Sequence, residues 1–374
     1  MPINQTEKTI FIVAGEDSGD LHGAKLVSEI KKIAPTMNFI GHGGDRMAAA
    51  GVKIIEHVSR LSMVGLTEVI MKLPHMMKVM NRTIRLIKDT QPDRIILIDY
   101  PGFNLRLAKK IKSSTIPITY FILPQVWAWG EKRIYKIQKY IDQAISIIPF
   151  EKDWFKVRGI SINYVGHPFA DKIEPTLTRK EFFSKHTINP HQPILTLLPG
   201  SRQSEINRHW PIFLDVIHNL RQIFPNMQFV VGRAPNISFK NKPNFIQFEN
   251  NDIRSALAYG TAGLIASGTA TLEAVVYGLP CVVCYKTSNT TYWLGKNLTK
   301  VKYIALANLI GGQQIVHEFI QNKMTFRALS KALIPLLSET EERKKMLSNY
   351  KKIINRLGPS GVYQRAAQLI INKI

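Results

Sequence analysis

Cysteine is scarce, with two residues in 374, Cys281 and Cys284, which argues against a disulfide scaffold. A zinc site needs about four ligands, and no second Cys or His pair has the spacing to complete one. If the apolar run Leu279–Tyr285 is a strand, it points the two thiols to opposite faces, as buried structural cysteines. Long apolar runs are missing too: none approaches the roughly 18 to 20 residues that a spanning helix requires. Met1 to Lys8 show no basic region leading into an apolar one, so a cytoplasmic location is the expectation. There is no internal repeat and no low-complexity segment. Acidic residues are few, 27 against 50 Lys+Arg, and the formal charge is +23. That excess points to an anionic partner (nucleic acid, an anionic membrane surface or a phosphorylated substrate) or to a lineage of generally basic proteins. No common nucleic-acid motif accompanies the charge, and nucleic acid is not an expected partner.

What is present is enough apolar residue, 45% of the chain, to build about two domains with separate cores. Short β-branched runs alternate with amphipathic stretches: strand Thr9–Val13, helix Leu21–Ile33, strand Asn38–Ile40, helix Pro74–Asp89, strand Arg94–Ile98, helix Leu105–Lys112, strand Ile118–Ile122. This rhythm describes a parallel sheet covered on both faces. Glu174–Pro193 is charged, contains three prolines and suits a crossing between domains. A second series opens at Ile194–Leu198 and runs through Cys281–Tyr285, so the chain is read as α/β with two Rossmann-like domains in tandem. The last helices, Phe326–Leu337, Glu341–Leu357 and Val362–Ile374, are interrupted by the breaker Gly358-Pro359-Ser360-Gly361.

Open α/β sheets bind ligands beyond the carboxyl ends of their strands, so the motifs at those junctions carry the chemistry. After the first strand comes Gly15-Glu16-Asp17-Ser18-Gly19-Asp20. Its glycines admit a close ligand, Ser18 or Asp20 can cap the following helix, and its acidic cluster suits sugar hydroxyls better than phosphates. An ordinary capped turn is the competing reading. Strand 94–98 ends in Asp99-Tyr100-Pro101-Gly102-Phe103-Asn104, where a carboxylate on the ligand side fits a general base; a helix cap is the alternative. Gln125, Trp127 and Trp129, after strand 118–122, offer flat faces and an amide for stacking on sugars or bounding a lipid-lined site, against plain core packing.

Two further turns lie in the second half. Gly200-Ser201-Arg202, with Glu205 beyond, follows a strand and leads to a helix, as an anion site does. Ser267-Gly268-Thr269 also opens a helix; small residues there admit a pyrophosphate, and Glu273 can hold ribose hydroxyls or simply favour the helix dipole. Finally, Val64, Leu66, Val69, Ile70, Leu73, Met76 and Met77 stand among Lys72, Lys78, Arg82 and Arg85. Flexible methionines flanked by cations fit contact with an anionic bilayer surface, although such a stripe also serves a core.

Gly15-Glu16-x-Ser18-Gly19-Asp20, Asp99-x-Pro101-x-Phe103-Asn104, Pro124-Gln125-Val126-Trp127-Ala128-Trp129, Gly166-His167-Pro168, Leu198-Pro199-Gly200-Ser201-Arg202-x-x-Glu205 and Ser267-Gly268-Thr269-Ala270-Thr271-Leu272-Glu273 together resemble the lipid-A-disaccharide synthase family. The order and spacing fit from residue 9 to residue 321. The resemblance implies a GT-B glycosyltransferase with two Rossmann-like domains facing across a cleft. Residues 1–170 would form the acceptor and membrane-contacting domain, 171–357 the UDP-sugar donor domain, and 358–374 a helix returning to the first. It implies an inverting reaction of UDP-2,3-diacylglucosamine with 2,3-diacylglucosamine 1-phosphate, giving a β(1→6) disaccharide and UDP at the inner-membrane surface without a bound metal or other cofactor.

Asp99 is then the base on the acceptor 6-hydroxyl, with Glu16 and Asp20 as the other catalytic candidates. Ser201, Arg202, Ser267, Gly268, Thr269 and Glu273 would hold the nucleotide. Asn308, with Glu318 and Gln321, is similar to a family segment in which Ala307 replaces a proline. A homodimer is compatible with this reading. The alternatives are another GT-B enzyme, such as a lipid-linked cell-wall transferase or a UDP-GlcNAc epimerase, and a non-enzymatic nucleotide- or membrane-binding protein.

Overall fold

The computed structural model describes residues 8–61, 66–171, 173–299 and 301–374. The chain divides into two compact units, Met1–Pro168 with Pro359–Ile374, and Phe169–Gly358. Each is built on one parallel sheet. In the first, the strands are β1 (Thr9–Val13), β2 (Asn38–Gly43), β3 (Val52–His57), β4 (Arg94–Ile98), β5 (Ile118–Phe121), β6 (Gln143–Ser146) and β7 (Asn163–Tyr164). Their spatial order is β3-β2-β1-β4-β5-β6-β7. In the second, β8 (Ile194–Leu198), β9 (Gln228–Gly232), β10 (Ile246–Glu249), β11 (Ala262–Ala266), β12 (Cys281–Tyr285) and β13 (His317–Ile320) lie in the order β10-β9-β8-β11-β12-β13.

The central strands are apolar without alternation because helices cover both faces. Ile10 to Val13 and Ile95 to Ile98 are wholly buried, as are Leu195, Leu197, Leu264 and Ile265. Both cysteines are buried on β12, and burial pushes the Cys281 thiol up to about 12.

In each sheet the order reverses once, between β1 and β4 in the first unit and between β8 and β11 in the second. Successive connections diverge to opposite faces at that point, which leaves a crevice at the carboxyl edge. The turns after these four strands are the Gly15, Asp99, Gly200 and Ser267 motifs.

Some expected boundaries move. The first helix begins at Asp17, so Ser18, Gly19 and Asp20 lie in its first turn and not in a loop; Glu16 is its N-cap, with no side-chain cap from Ser18 or Asp20. The helix expected at Pro74 begins at Leu66 and runs to Thr90 with Pro74 inside it. Glu174–Pro193 is not a crossing but part of the second unit: it contains a helix, Arg179–Lys185, opened by a Thr178–Glu181 capping box.

The last helix, Val362–Ile371, belongs to the first unit. Arg94, buried at the start of β4, donates to Thr119 Oγ1 (2.9 Å) and to the Lys373 carbonyl. Thr119 donates to Gln143 Oε1 (2.9 Å), whose amide nitrogen donates to Leu369 O (2.9 Å). At the helix's other end Arg365 donates to Val165 O through Nε (3.0 Å) and Nη2 (2.7 Å), and to Pro359 O (2.6 Å). Arg365→Ala removes these bonds and leaves carbonyls unpaired. It should lower the unfolding free energy by about 2 kcal/mol, read as a shift of the urea midpoint.

Candidate active site

In the first unit the site is a turn held in an unfavourable conformation. Asp99 and Tyr100, which follow β4, have φ of +44° and +47°, a left-handed pair of non-glycine residues that costs about 1–3 kcal/mol each. Five hydrogen bonds over-determine it. The Asp99 amide donates to Phe121 O (3.2 Å). The Tyr120 hydroxyl donates to Asp99 O, and Asn104 Nδ2 donates to Asp99 O (2.8 Å) and Ile98 O (3.1 Å). The Tyr100 hydroxyl donates to Leu61 O (2.9 Å). Pro101 then starts the Pro101–Ile111 helix. Gly15 is required by the same turn, because a Cβ there would stand 2.1 Å from the Tyr100 ring.

The backbone constraint leaves the Asp99 carboxyl half-buried. Burial, and then the neighbouring Glu16 carboxylate, push it up to about 6, against a lowering hydrogen bond from the Tyr100 amide. A carboxyl with that affinity can be ionised near neutrality and still take a proton. Tyr100 is pushed up to about 12, by burial first and Glu16 second.

Several expected site residues have structural work instead. Asp20 is 3% exposed, and its oxygens accept from the amides of Gly44 (2.7 Å), Met47 (3.0 Å) and Arg46 (3.2 Å). It caps the Asp45–Ala49 helix, so it is not a catalytic candidate. Asn104 is fully buried and positions the Asp99 turn rather than meeting substrate. Trp127 is also buried: its indole N–H donates to Glu151 Oε1 (2.7 Å) and Phe150 packs edge-on at 4.8 Å. It is core, not a stacking platform. Trp129 remains 44% exposed with the Arg133 guanidinium 4.3 Å from its ring centre, and Gln125 is exposed beside it. Ser18 is exposed and Gly19 buried.

Val64 lies outside the described residues. Leu66, Val69 and Ile70 are in the Leu66–Thr90 helix. Leu73 and Met77 are exposed, whereas Met76 is buried in the core, so it is not a surface contact.

In the second unit the loop after β8 turns at Gly200, whose φ of +136° and 2.7 Å approach to the Glu205 side chain exclude a Cβ. Glu205 Oε2 accepts from the amides of Ser201 (3.0 Å) and Arg202 (3.3 Å). Glu205 therefore shapes the loop rather than binding ligand, and it leaves the Ser201 and Arg202 side chains exposed. His209, which the sequence reading passed over, ties this loop to the one after β12. Its Nδ1 donates to Pro199 O (2.6 Å), while Nε2 accepts from the Lys286 amide (2.9 Å), which fixes the neutral tautomer. Its only sequence signal is a polar residue on the buried face of an amphipathic helix.

Ser267 donates to Ile304 O (3.3 Å), and Gly268 and Thr269 are exposed just before the Ala270–Tyr277 helix. Burial raises the Glu273 carboxyl, with Arg254 opposing. Asn308 is fully committed to the protein. It accepts from the amides of Ile315 (2.6 Å) and Val316 (2.9 Å) and donates to Glu318 (2.7 Å), so it braces the loop instead of reaching a ligand. Ala307 is at the second position of the Leu306–Gly311 helix, where a proline also fits. Among the described residues no three of His, Cys, Asp and Glu are grouped to hold a metal ion.

A family model described as lipid-A-disaccharide synthetase matches residues 10–372. Similar curated proteins include lipid-A-disaccharide synthases of Coxiella burnetii, 34% identical with 99% of each chain covered, and of Nitrosococcus oceani, 36% identical over 97% of this chain and 95% of the relative. Among solved structures, the kitacinnamycin glycotransferase aligns with a TM-score of 0.66 at 12% identity, covering 99% of this chain and 100% of the other. The Methanocaldococcus jannaschii UDP-GlcNAc 2-epimerase in complex with UDP-GlcNAc and UDP aligns at 0.63 and 11%, covering 97% and 99%. These two share the fold.

Glu151 gives a direct test of the site's packing. Burial pushes its carboxyl from 4.5 up to about 7, against lowering hydrogen bonds from Ser146 and Trp127. Its stability contribution is therefore complete below the unfolded value and falls as pH rises through 7. Glu151→Gln abolishes that titration. Relative to the wild type, the variant should gain roughly 3 kcal/mol between pH 4 and pH 8, measured by urea unfolding at both pH values.

Proposed function

This chain belongs to the lipid-A-disaccharide synthetase family and is a glycosyltransferase of lipid A biosynthesis; from that premise we propose that it joins UDP-2,3-diacylglucosamine to 2,3-diacylglucosamine 1-phosphate with inversion. The observation that carries the reading is the Asp99 carboxyl: half-buried, raised to about 6, and presented on a strained turn at the first unit's switch point. In the proposed step the acceptor 6-hydroxyl oxygen forms a bond to the anomeric carbon of the donor. The bond from that carbon to the UDP oxygen breaks with its electron pair leaving on UDP, and Asp99 takes the hydroxyl proton. Glu16 raises the proton affinity of Asp99 and is the second candidate at that position.

The departing diphosphate would meet Arg202, Ser201 and the amides that open the Ala270–Tyr277 helix beyond Ser267, Gly268 and Thr269, with Glu273 on the ribose. Arginine and oriented amides stabilise the negative charge that develops on the leaving group. Peripheral residence at the inner-membrane surface is supported by the exposed Leu73 and Met77 and the +23 charge. No helix among the described residues is long and apolar enough to cross a membrane.

The test is UDP release from the diacylated donor in detergent micelles. The wild type should release UDP only with acceptor present. Asp99→Asn should lose about 10²- to 10⁴-fold in kcat while binding UDP as the wild type does; unimpaired turnover in that variant removes Asp99 from the mechanism. The free-enzyme profile follows the sign of the shift. The active carboxylate is present above the raised value, so kcat/KM should hold above pH 6 and fall about tenfold per unit below it.

A further inference from the structure

The Leu66–Thr90 and Pro101–Ile111 helices border a cavity of about 420 Å³ whose lining is mostly apolar: Leu73, Met76, Met77, Met80, Tyr100 and Phe103. That volume falls in the range of small-molecule sites. Its polar contributors include Arg106 and Lys110, one helical turn apart. Both are exposed, and among the described residues neither has an ion-pair partner and no carboxylate lines the cavity. Tyr100 belongs both to this wall and to the turn that carries Asp99. An apolar recess with two cations on its lining and a candidate base beside it fits an amphipathic anion, an alkyl chain attached to a phosphate-bearing head.

We propose that this cavity seats one acyl chain of the acceptor, with Arg106 and Lys110 meeting the acceptor phosphate. The proposal rests on the transferase reading above and extends it to a named subsite. The acceptor is the occupant because it combines acyl chains with a phosphate and must bring its hydroxyl to Asp99. The donor's diphosphate has Arg202 and the helix amides of the second unit. The exposed Leu73 and Met77 are open to a bilayer surface, whereas the buried Met76, Met80 and Phe103 form an inward recess that a bilayer-dipping face does not require. Methionines suit such a lining, since their unbranched thioethers adapt to a flexible chain.

Gly102 gives a gentle way to fill the recess. It lines the cavity, and a Cβ built there meets nothing within 4 Å. Gly102→Leu should raise the KM for long-chain acceptor in detergent micelles about tenfold, leave the donor KM unchanged, and lose its effect as the acceptor's acyl chains are shortened. Arg106→Gln with Lys110→Gln should raise the KM for the phosphorylated acceptor and spare an acceptor lacking the phosphate.

A binding arm separates this proposal from the transferase reading. Decyl phosphate, titrated calorimetrically below its micellar concentration, should bind the wild type and bind Gly102→Leu about tenfold more weakly. Decyl phosphate binding with no acceptor-dependent UDP release would keep the subsite and overturn the reaction. Normal UDP release, with acceptor KM and decyl phosphate binding both unmoved by Gly102→Leu, would overturn the subsite and keep the reaction. A KM rise independent of chain length, or reduced binding to anionic vesicles with an unchanged acceptor KM, would also overturn it; the vesicle result would reassign the surface to the bilayer.

Discussion

The left-handed pair Asp99-Tyr100 is the constraint on which the first unit's site depends. A chain leaving β4 would relax to ordinary backbone angles unless its carbonyls and side chains were otherwise engaged, and the protein engages nearly all of them. Tyr120 and Asn104 hold the Asp99 carbonyl, Leu61 holds the Tyr100 hydroxyl, and the absent Cβ of Gly15 makes room for the ring. The result turns the Asp99 carboxyl into a poorly solvated position next to Glu16, and the raised proton affinity follows from that placement. The same Tyr100 ring walls the apolar cavity. One turn thus joins the candidate base to the proposed acyl subsite.

The second unit reaches preorganisation by a different route. Its turns are held by side chains engaged with the protein's own backbone: Glu205 gathers two loop amides, His209 links the loops after β8 and β12, and Asn308 with Glu318 braces the segment from Ile304 to Val316. Buried polar groups with their hydrogen bonds satisfied make such loops rigid. Arg202, Ser201, Gly268 and Thr269 are thereby left at the edge. The division is physical: residues committed to backbone amides set shape, and the exposed ones are available to an anion.

The strand and helix rhythm was legible because parallel strands buried on both faces read as unbroken apolar runs, as in β1, β4, β8 and β11. The short or polar strands were not: β13 reads His-Glu-Phe-Ile, β10 reads Ile-Gln-Phe-Glu, and β7 has two residues. The family was legible from six motifs in order. Individual roles were harder, because a motif marks a place and not a partner. Asp20 looks like a catalytic acid until the amides of residues 44 to 47 arrive from across the fold. Trp127 looks like a stacking face until Glu151 captures its indole. Asp99 directly follows a buried strand, which is why a general base could be read there, whereas its raised proton affinity comes from burial and from Glu16, which the sequence does not show.

The poise of the strained turn is read directly from the titration of Asp99 itself, by NMR of the side-chain carboxyl in protein labelled with ¹³C-aspartate and assigned with Asp99→Asn. The expected result is a carboxyl titrating at about 6, moving downward when Glu16→Gln removes the neighbouring negative charge. A carboxyl titrating at its ordinary 3.8, insensitive to Glu16, would contradict it: the strained turn would then be holding an unremarkable surface aspartate and not a poised base.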